Sequence, residues 1–215
     1  MENGPVLTIS ISRMMGSGGT YIGRLVAKRL GFKYIDREVL TEAARRLGTD
    51  EKFLAHRDQR PSGFLDNFLR TLSYGSTQAI IPPAGPPISD NDLFALECTI
   101  MEEIAKRESS VIVGRGAFHV LKKLPGTLSI FVHAPREFRT RRIMQVQDIP
   151  DAQQAAAVLR ESDEQRSKFV WNMLHVHWAD ARNYHLAIDT SLCGFDWATD
   201  LICQLADAKF NSLKR

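Results

Sequence analysis

Cysteine is scarce. The chain carries three among 215 residues, Cys98, Cys193 and Cys203, odd in number and far apart. That spacing argues against a disulfide framework or a zinc knuckle. A core of this size needs no covalent staple, and a reducing cytoplasm is the expected setting. Long apolar runs are missing too. None reaches the length of a membrane span and no signal-peptide pattern opens the chain, so no membrane partner is expected. Charge is nearly balanced at a net +3, with no long basic stripe. Nucleic acid is therefore not an expected partner, while a small anionic ligand is compatible. The histidines give little: His175 and His177 flank Val176 beside Trp178, with no cysteine or carboxylate at zinc spacing. No internal repeat or long low-complexity tract appears.

What is present is glycine in one particular place. Ser10-Ile11-Ser12-Arg13-Met14-Met15-Gly16-Ser17-Gly18-Gly19-Thr20 runs out of an apolar stretch (Val6, Leu7, Ile9, Ile11) and into a helical one (Ile22, Leu25, Val26, Leu30) closed by Gly31. Strand, glycine loop, helix is the order that phosphate binding needs. Gly16, Gly18 and Gly19 allow positive φ and close backbone approach, and the free N–H groups at the helix start face an anion. Ser17 lies within the cradle, and Thr20 is placed to offer a hydroxyl to magnesium. In the usual G-x-x-x-x-G-K-[ST] pattern a lysine precedes that hydroxyl residue. With Thr20 in register, the lysine position holds Gly19 and the first glycine position holds Arg13. The loop's point charge must then come from elsewhere. A dinucleotide-type register is strained, because Asp36 follows Gly23 by only 13 residues.

Five segments read as buried strands: 6–12, 32–36, 110–114, 128–133 and 186–190. Helical stretches at 20–30, 37–47, 93–107 and 135–146 lie between them. This alternation predicts a parallel sheet covered on both faces, in a single α/β domain over 1–215. Ligands of such sheets bind beyond the carboxyl ends of the strands, where Gly16, Asp36, Arg115 and Asp189 fall. Two segments interrupt the pattern. Residues 50–92 include a Pro/Gly tract unsuited to a helix interior or a central strand. They read as a surface excursion or as a flap with Phe64, Leu65, Phe68 and Leu69 on one face. Residues 148–182 are rich in charge and helix formers. Trp171, Trp178 and Trp197 are expected to anchor helices to the core.

Arginine supplies the candidate chemistry. Arg13 is either an ordinary surface ion pair or the replacement cation of the loop. Arg115 stands between Gly114 and Gly116 at a strand end, where a guanidinium can meet a phosphate. Arg136, Arg139, Arg141 and Arg142 form a basic helix face, of which one or two could serve a moving phosphoryl group; Arg166, three residues after Asp163, is another candidate.

These residues resemble the cytidylate kinase-like family. The likeness lies in Ile9-Ser10-Ile11-Ser12-Arg13, Gly16-Ser17-Gly18-Gly19, Tyr34-Ile35-Asp36 and Val111-Ile112-Val113-Gly114-Arg115-Gly116-Ala117. It continues in Arg139-x-Arg141-Arg142, Asp163-x-x-Arg166 and Asn183-Tyr184-His185-Leu186. The resemblance implies a P-loop fold of three α/β/α layers with a five-stranded parallel sheet. It further implies an acceptor-binding insertion near 37–92 and a lid near 145–168. It implies ATP with Mg2+ as donor on Gly16, Ser17, Gly18, Gly19 and Thr20, with Thr20 on the metal. Asp36, Arg37, Arg115 and Asp163 would bind a small-molecule nucleotide, and Arg13, Arg142 and Arg166 would act on the transferred group. Cytidylate kinases carry a loop lysine, a cytosine-reading aspartate and an aspartate ending strand four; Gly19, Gly116 and His133 stand there. Three functions follow: a nucleoside monophosphate kinase, a non-catalytic nucleotide-binding module, or a kinase of another small metabolite. The sequence leaves the oligomeric state open.

Overall fold

The computed structural model describes residues 5–49 and 89–214. The proposed flap residues Phe64, Leu65, Phe68 and Leu69 lie outside them. Five strands form one sheet: β1 (Thr8–Arg13), β2 (Lys33–Ile35), β3 (Ser110–Val113), β4 (Thr127–His133) and β5 (Leu186–Asp189). Their order is β2-β3-β1-β4-β5, and every pairing is parallel. β1 is central. From β1 the chain goes to the edge strand β2, returns to β3 beside β1, and then crosses to β4 and β5 on the other side, so the end of β1 lies where a parallel sheet opens its crevice.

β1 alternates strictly. Leu7, Ile9 and Ile11 are buried in the core on one face. Thr8, Ser10 and Ser12 are buried as well, and their hydroxyls turn to neighbouring strands, Ser10 donating to Ser129 Oγ at 3.2 Å. The Ile face packs against helix α1 (Gly19–Leu30) through Ile22 and Val26, and against the last helix through Ala198, Ile202 and Ala206. Helices α2 (Arg37–Thr49), α3 (Asp90–Arg107) and α4 (Ala117–Val120) share a second cluster with Ile35 and Ile112, built on Leu40, Ile100, Met101, Ile104 and Leu121. The sheet is thus covered on both faces, as parallel sheets require.

Helix α5 (Arg136–Val146) follows β4, and α6 (Ala152–Leu174) is a 23-residue helix that spans the charged segment. Asp151 caps α6, its side chain accepting from the Gln153 N–H. Helix α7 (Thr190–Leu213) closes the chain and is broken at Gly194, whose φ of 72 and ψ of 175 are not helical. Neither α6 nor α7 is delimited by apolar spacing in the sequence. α6 buries only Ala155, Leu159 and Val170 over its whole length, and the break at Gly194 interrupts the pattern of α7. One expectation is corrected. Trp178 is buried, but Trp171 and Trp197 remain 47% and 56% exposed; Trp171 stacks on His177 at 5.0 Å rather than entering the core. Among the described residues no helix is long and apolar enough to cross a membrane.

Candidate active site

The loop between β1 and α1 is held from every side. Gly16 and Gly18 take φ of 78 and 82. A side chain at Gly16 would meet Arg139 Cβ at 3.0 Å, and one at Gly18 would overlap the Phe195 ring. Ser17 is fully buried, and its hydroxyl reaches the Met14 carbonyl at 2.8 Å and the Val132 carbonyl at 3.0 Å. Its side chain thus pins the loop, and its N–H turns back to the Met14 carbonyl at 3.3 Å. Thr190 Oγ1 donates to the Ser17 carbonyl at 2.8 Å. Met15 is gripped at both ends of its peptide: its N–H donates to Asp163 Oδ1 at 2.9 Å, and its carbonyl accepts from Arg139 Nη1 at 3.0 Å. No side chain caps the start of α1, so the first helical N–H groups stay open toward the loop.

Asp163 and Arg139 make this grip. Arg139 is buried; Nε donates to the Ala134 carbonyl at 2.9 Å and Nη1 to Asp163 Oδ2 at 2.7 Å. Arg166 Nη1 donates to Asp163 Oδ1 at 3.0 Å. Both oxygens of Asp163 are therefore engaged within the protein, and the residue joins α6 to the loop. Asp36 is likewise engaged. It caps α2, Oδ1 accepting from the Val39 N–H at 3.2 Å, while Oδ2 stands 3.9 Å from Arg24.

Two cavities flank the end of β1. The first, of about 400 Å³, lies on the loop and includes Gly16, Gly18, Gly19, Thr20 and Arg142. The second, of about 260 Å³, lies beyond β3 and includes Arg37, Arg115, Gly116, Phe169 and Trp178. Arg13 and Arg166 line both. The structure thus brings Arg13 and Arg166 together, puts Arg142 with the loop and puts Arg37 and Arg115 across from it. Asp36 and Asp163 are not on the second cavity's wall.

The arginines differ in how they are held. Arg142 lies over the Phe195 ring at 4.2 Å. Arg115 has a positive φ of 51 and donates through Nε to Glu97 Oε2 at 2.6 Å, with Nη2 paired to the same oxygen. It also lies over Phe169 at 4.1 Å and over Phe94 at 5.8 Å. Glu97 is fully buried and accepts at Oε1 from Thr41 at 2.8 Å. Sequence reasoning misses Glu97, although a signal exists: it falls on the buried stripe Phe94, Glu97, Met101, Ile104 of α3, where a carboxylate needs a partner. Arg13 has no such partner among the described residues, and its buried Nε makes no hydrogen bond. Burial, and then the charge of Arg166, lower its pKa to about 10, well below the usual arginine range. Burial also lowers that of Arg166, with Asp163 opposing.

The glycines around Arg13 and Arg115 are shaped by their neighbours. A side chain at Gly19 would meet Arg13 Cβ at 2.5 Å, and one at Gly114 would overlap the Arg13 guanidinium. Gly116, at φ 71, has its side-chain space filled by the end of Leu174 from α6.

A central parallel strand that runs through a glycine loop into a helix, with helices on both sheet faces, defines a P-loop kinase fold. The sequence profile of the cytidylate kinase-like family matches residues 8–192, and the chain belongs to that family. A uronate isomerase from Corynebacterium glutamicum is 27% identical over 158 residues, 74% of this chain. The chain spans about 30% of that relative's length. An uncharacterized protein from Eubacterium ventriosum has a similar crystal structure, with TM-score 0.69 and 22% identity over 94% of this chain and 98% of that one. A shikimate kinase from Acinetobacter baumannii, in complex with shikimate, aligns at TM-score 0.47 and 16% identity over 94% of each chain.

Proposed function

We propose that this chain transfers the terminal phosphoryl group of ATP to an acceptor that already carries a phosphate, a nucleoside monophosphate being the first candidate. The supporting observation is that Arg13 and Arg166 line both the loop cavity and the cavity opposite. Two cations at a shared wall suit a group that starts in one cavity and finishes in the other. In that reaction the acceptor's phosphate oxygen bonds to phosphorus as the bond to the donor's bridging oxygen breaks. The electron pair leaves with the diphosphate. A phosphate monoester is largely dianionic at neutral pH, so no proton has to be removed first. What remains for the protein is positioning and charge neutralisation, which carry most of phosphoryl transfer.

The residues divide that work. Backbone N–H groups from Gly16 to Thr20 cradle the donor, and Arg142 stands on the donor side. Arg37 and Arg115 face the acceptor. Asp36 holds the start of the helix that presents Arg37, and Asp163 orients Arg166. The site fits a magnesium–nucleotide complex, because Thr20 presents its hydroxyl on the loop cavity at the uncapped start of α1. Thr20 would hold the metal, which when bound neutralises donor phosphate charge.

A second reading keeps the fold and changes the acceptor to a carboxylate-bearing metabolite. Two observations favour it. Leu174 fills the space where cytidylate kinases carry a base-reading aspartate, and a stretch of a uronate isomerase aligns with this chain. The deciding experiment incubates the protein with Mg-ATP and a panel of nucleoside monophosphates and sugar acids, with chromatography of products. A nucleoside diphosphate carries the first reading; a phosphorylated sugar acid replaces it with the second. Tight ATP binding with no transfer to any acceptor would leave a nucleotide-binding module instead.

A further inference from the structure

The usual phosphate loop has glycine at its first position and lysine at its seventh; here those positions hold Arg13 and Gly19. The two departures look independent in the sequence. In the structure they are one event. Arg13 leaves β1 with its Cβ against Gly19, and its guanidinium lies over Gly114. Any side chain at 19 would begin 2.5 Å from Arg13 Cβ and 3.3 Å from Val132 Cβ, so a lysine at 19 and Arg13 in its present course exclude each other. Glycine at 114 leaves room for the far end of the same side chain.

We infer that Arg13 is the relocated cation of the phosphate loop, and that residue 19 is glycine because Arg13 Cβ occupies the space its side chain would need. This deepens the phosphotransfer reading and rests on it. Burying a guanidinium without an acidic partner is costly, so an anionic ligand is the natural complement of this one. Its buried Nε has a donor to offer, and Arg166 stands on the same wall of both cavities. The relocation moves the charge from within the cradle to the seam between donor and acceptor. There a planar fork can hold two oxygens of the group in transfer, which a lysine's point charge cannot do.

A charge swap tests this. Four variants are compared with the wild type: Arg13→Gly, Gly19→Lys, the double variant carrying both changes, and Arg13→Lys. Binding of ATP and of inorganic tripolyphosphate is measured by calorimetry without acceptor, alongside thermal unfolding of the ligand-free proteins. Arg13→Gly is expected to weaken both ligands about 10- to 100-fold while remaining folded. Gly19→Lys alone should lose binding or stability. The double variant, which restores the usual pattern, should recover most of the lost affinity and exceed both single variants. Arg13→Lys should fold normally and bind with intermediate strength. The inference is overturned if Arg13→Gly and Arg13→Lys both bind tripolyphosphate like the wild type, or if the double variant is no better than Arg13→Gly. A wild type that binds neither ligand overturns the phosphate reading itself. A wild type that binds both but transfers to no acceptor overturns only the transfer reaction, and the swap still decides the role of Arg13.

Discussion

Two neighbouring strands end in the same way and with opposite results. β1 and β3 are paired in parallel, and each delivers an arginine beside glycines at its carboxyl end. Arg115, after β3, is enclosed: Glu97 takes its charge, and Phe94 and Phe169 cover it. Arg13, ending β1, is half-buried beside another cation with no acid on its guanidinium among the described residues. One region is complete without a ligand. The other holds a charge that no acid among the described residues takes, and an anionic ligand would balance it. A wall must keep its shape when empty, whereas a group that stabilises a moving anion must not already be neutralised.

Removing the partner from the completed side should have the largest effect. Glu97→Ala leaves the Arg115 guanidinium buried and unpaired and should cost about 3–5 kcal/mol in denaturant unfolding. A loss below about 1 kcal/mol would mean that water already screens the pair and that the contrast is weaker than drawn. Arg13→Met keeps an apolar stem over Gly19 and should move stability the other way. Burial lowers the Arg13 pKa to about 10, so removing the charge should raise stability, by about 1–3 kcal/mol. The folded protein binds that proton less tightly than the unfolded chain, so the cost is fully present below about pH 10 and fades as pH rises above it. The stability gap between Arg13→Met and wild type should therefore be flat from pH 6 to about 9 and shrink above 10, in urea titrations at each pH. A variant less stable than wild type at pH 7 would sink the idea of an unbalanced charge.

Asp163→Asn probes the link between the glycine loop and α6. It weakens the hold on Arg139 and Arg166 but keeps an acceptor for the Met15 N–H, and should cost about 1–3 kcal/mol. If Asp163 acts by orienting Arg166, turnover should fall more than acceptor KM rises; a pure KM effect would instead put Asp163 on the acceptor. The smallest effect concerns Cys98. Burial, helped by Glu102, pushes its thiol up to about 12, so at pH 8 it should react with a thiol reagent far more slowly in the folded protein than in urea. Equal rates would show that the α3 face is open.

The sheet was legible because each strand is a short apolar run between turn signals, and all five lie within a residue or two of their expected positions. The charged partners were not. Arg13, three residues before Gly16, and Arg115, between Gly114 and Gly116, both read as arginines at a strand end, and the helix packing that brings Glu97 to Arg115 is what separates their roles. Asp163 reads as a ligand-facing carboxylate beside Arg166, yet the fold turns it toward a peptide 148 residues away in sequence. Tertiary contacts of that span have no periodicity to announce them. Glu97 alone left a trace, as an acid on an apolar stripe.

The backbone at Gly116 constrains how this chain can diverge. An aspartate introduced at 116 meets Leu174 at once, and the backbone there sits at φ 71, a conformation that side chains adopt reluctantly. Leu174 can swing its terminal methyl aside, but no neighbour can relieve the backbone. The left-handed turn at 116, rather than the packing above it, is what holds this position to glycine in any descendant of the chain.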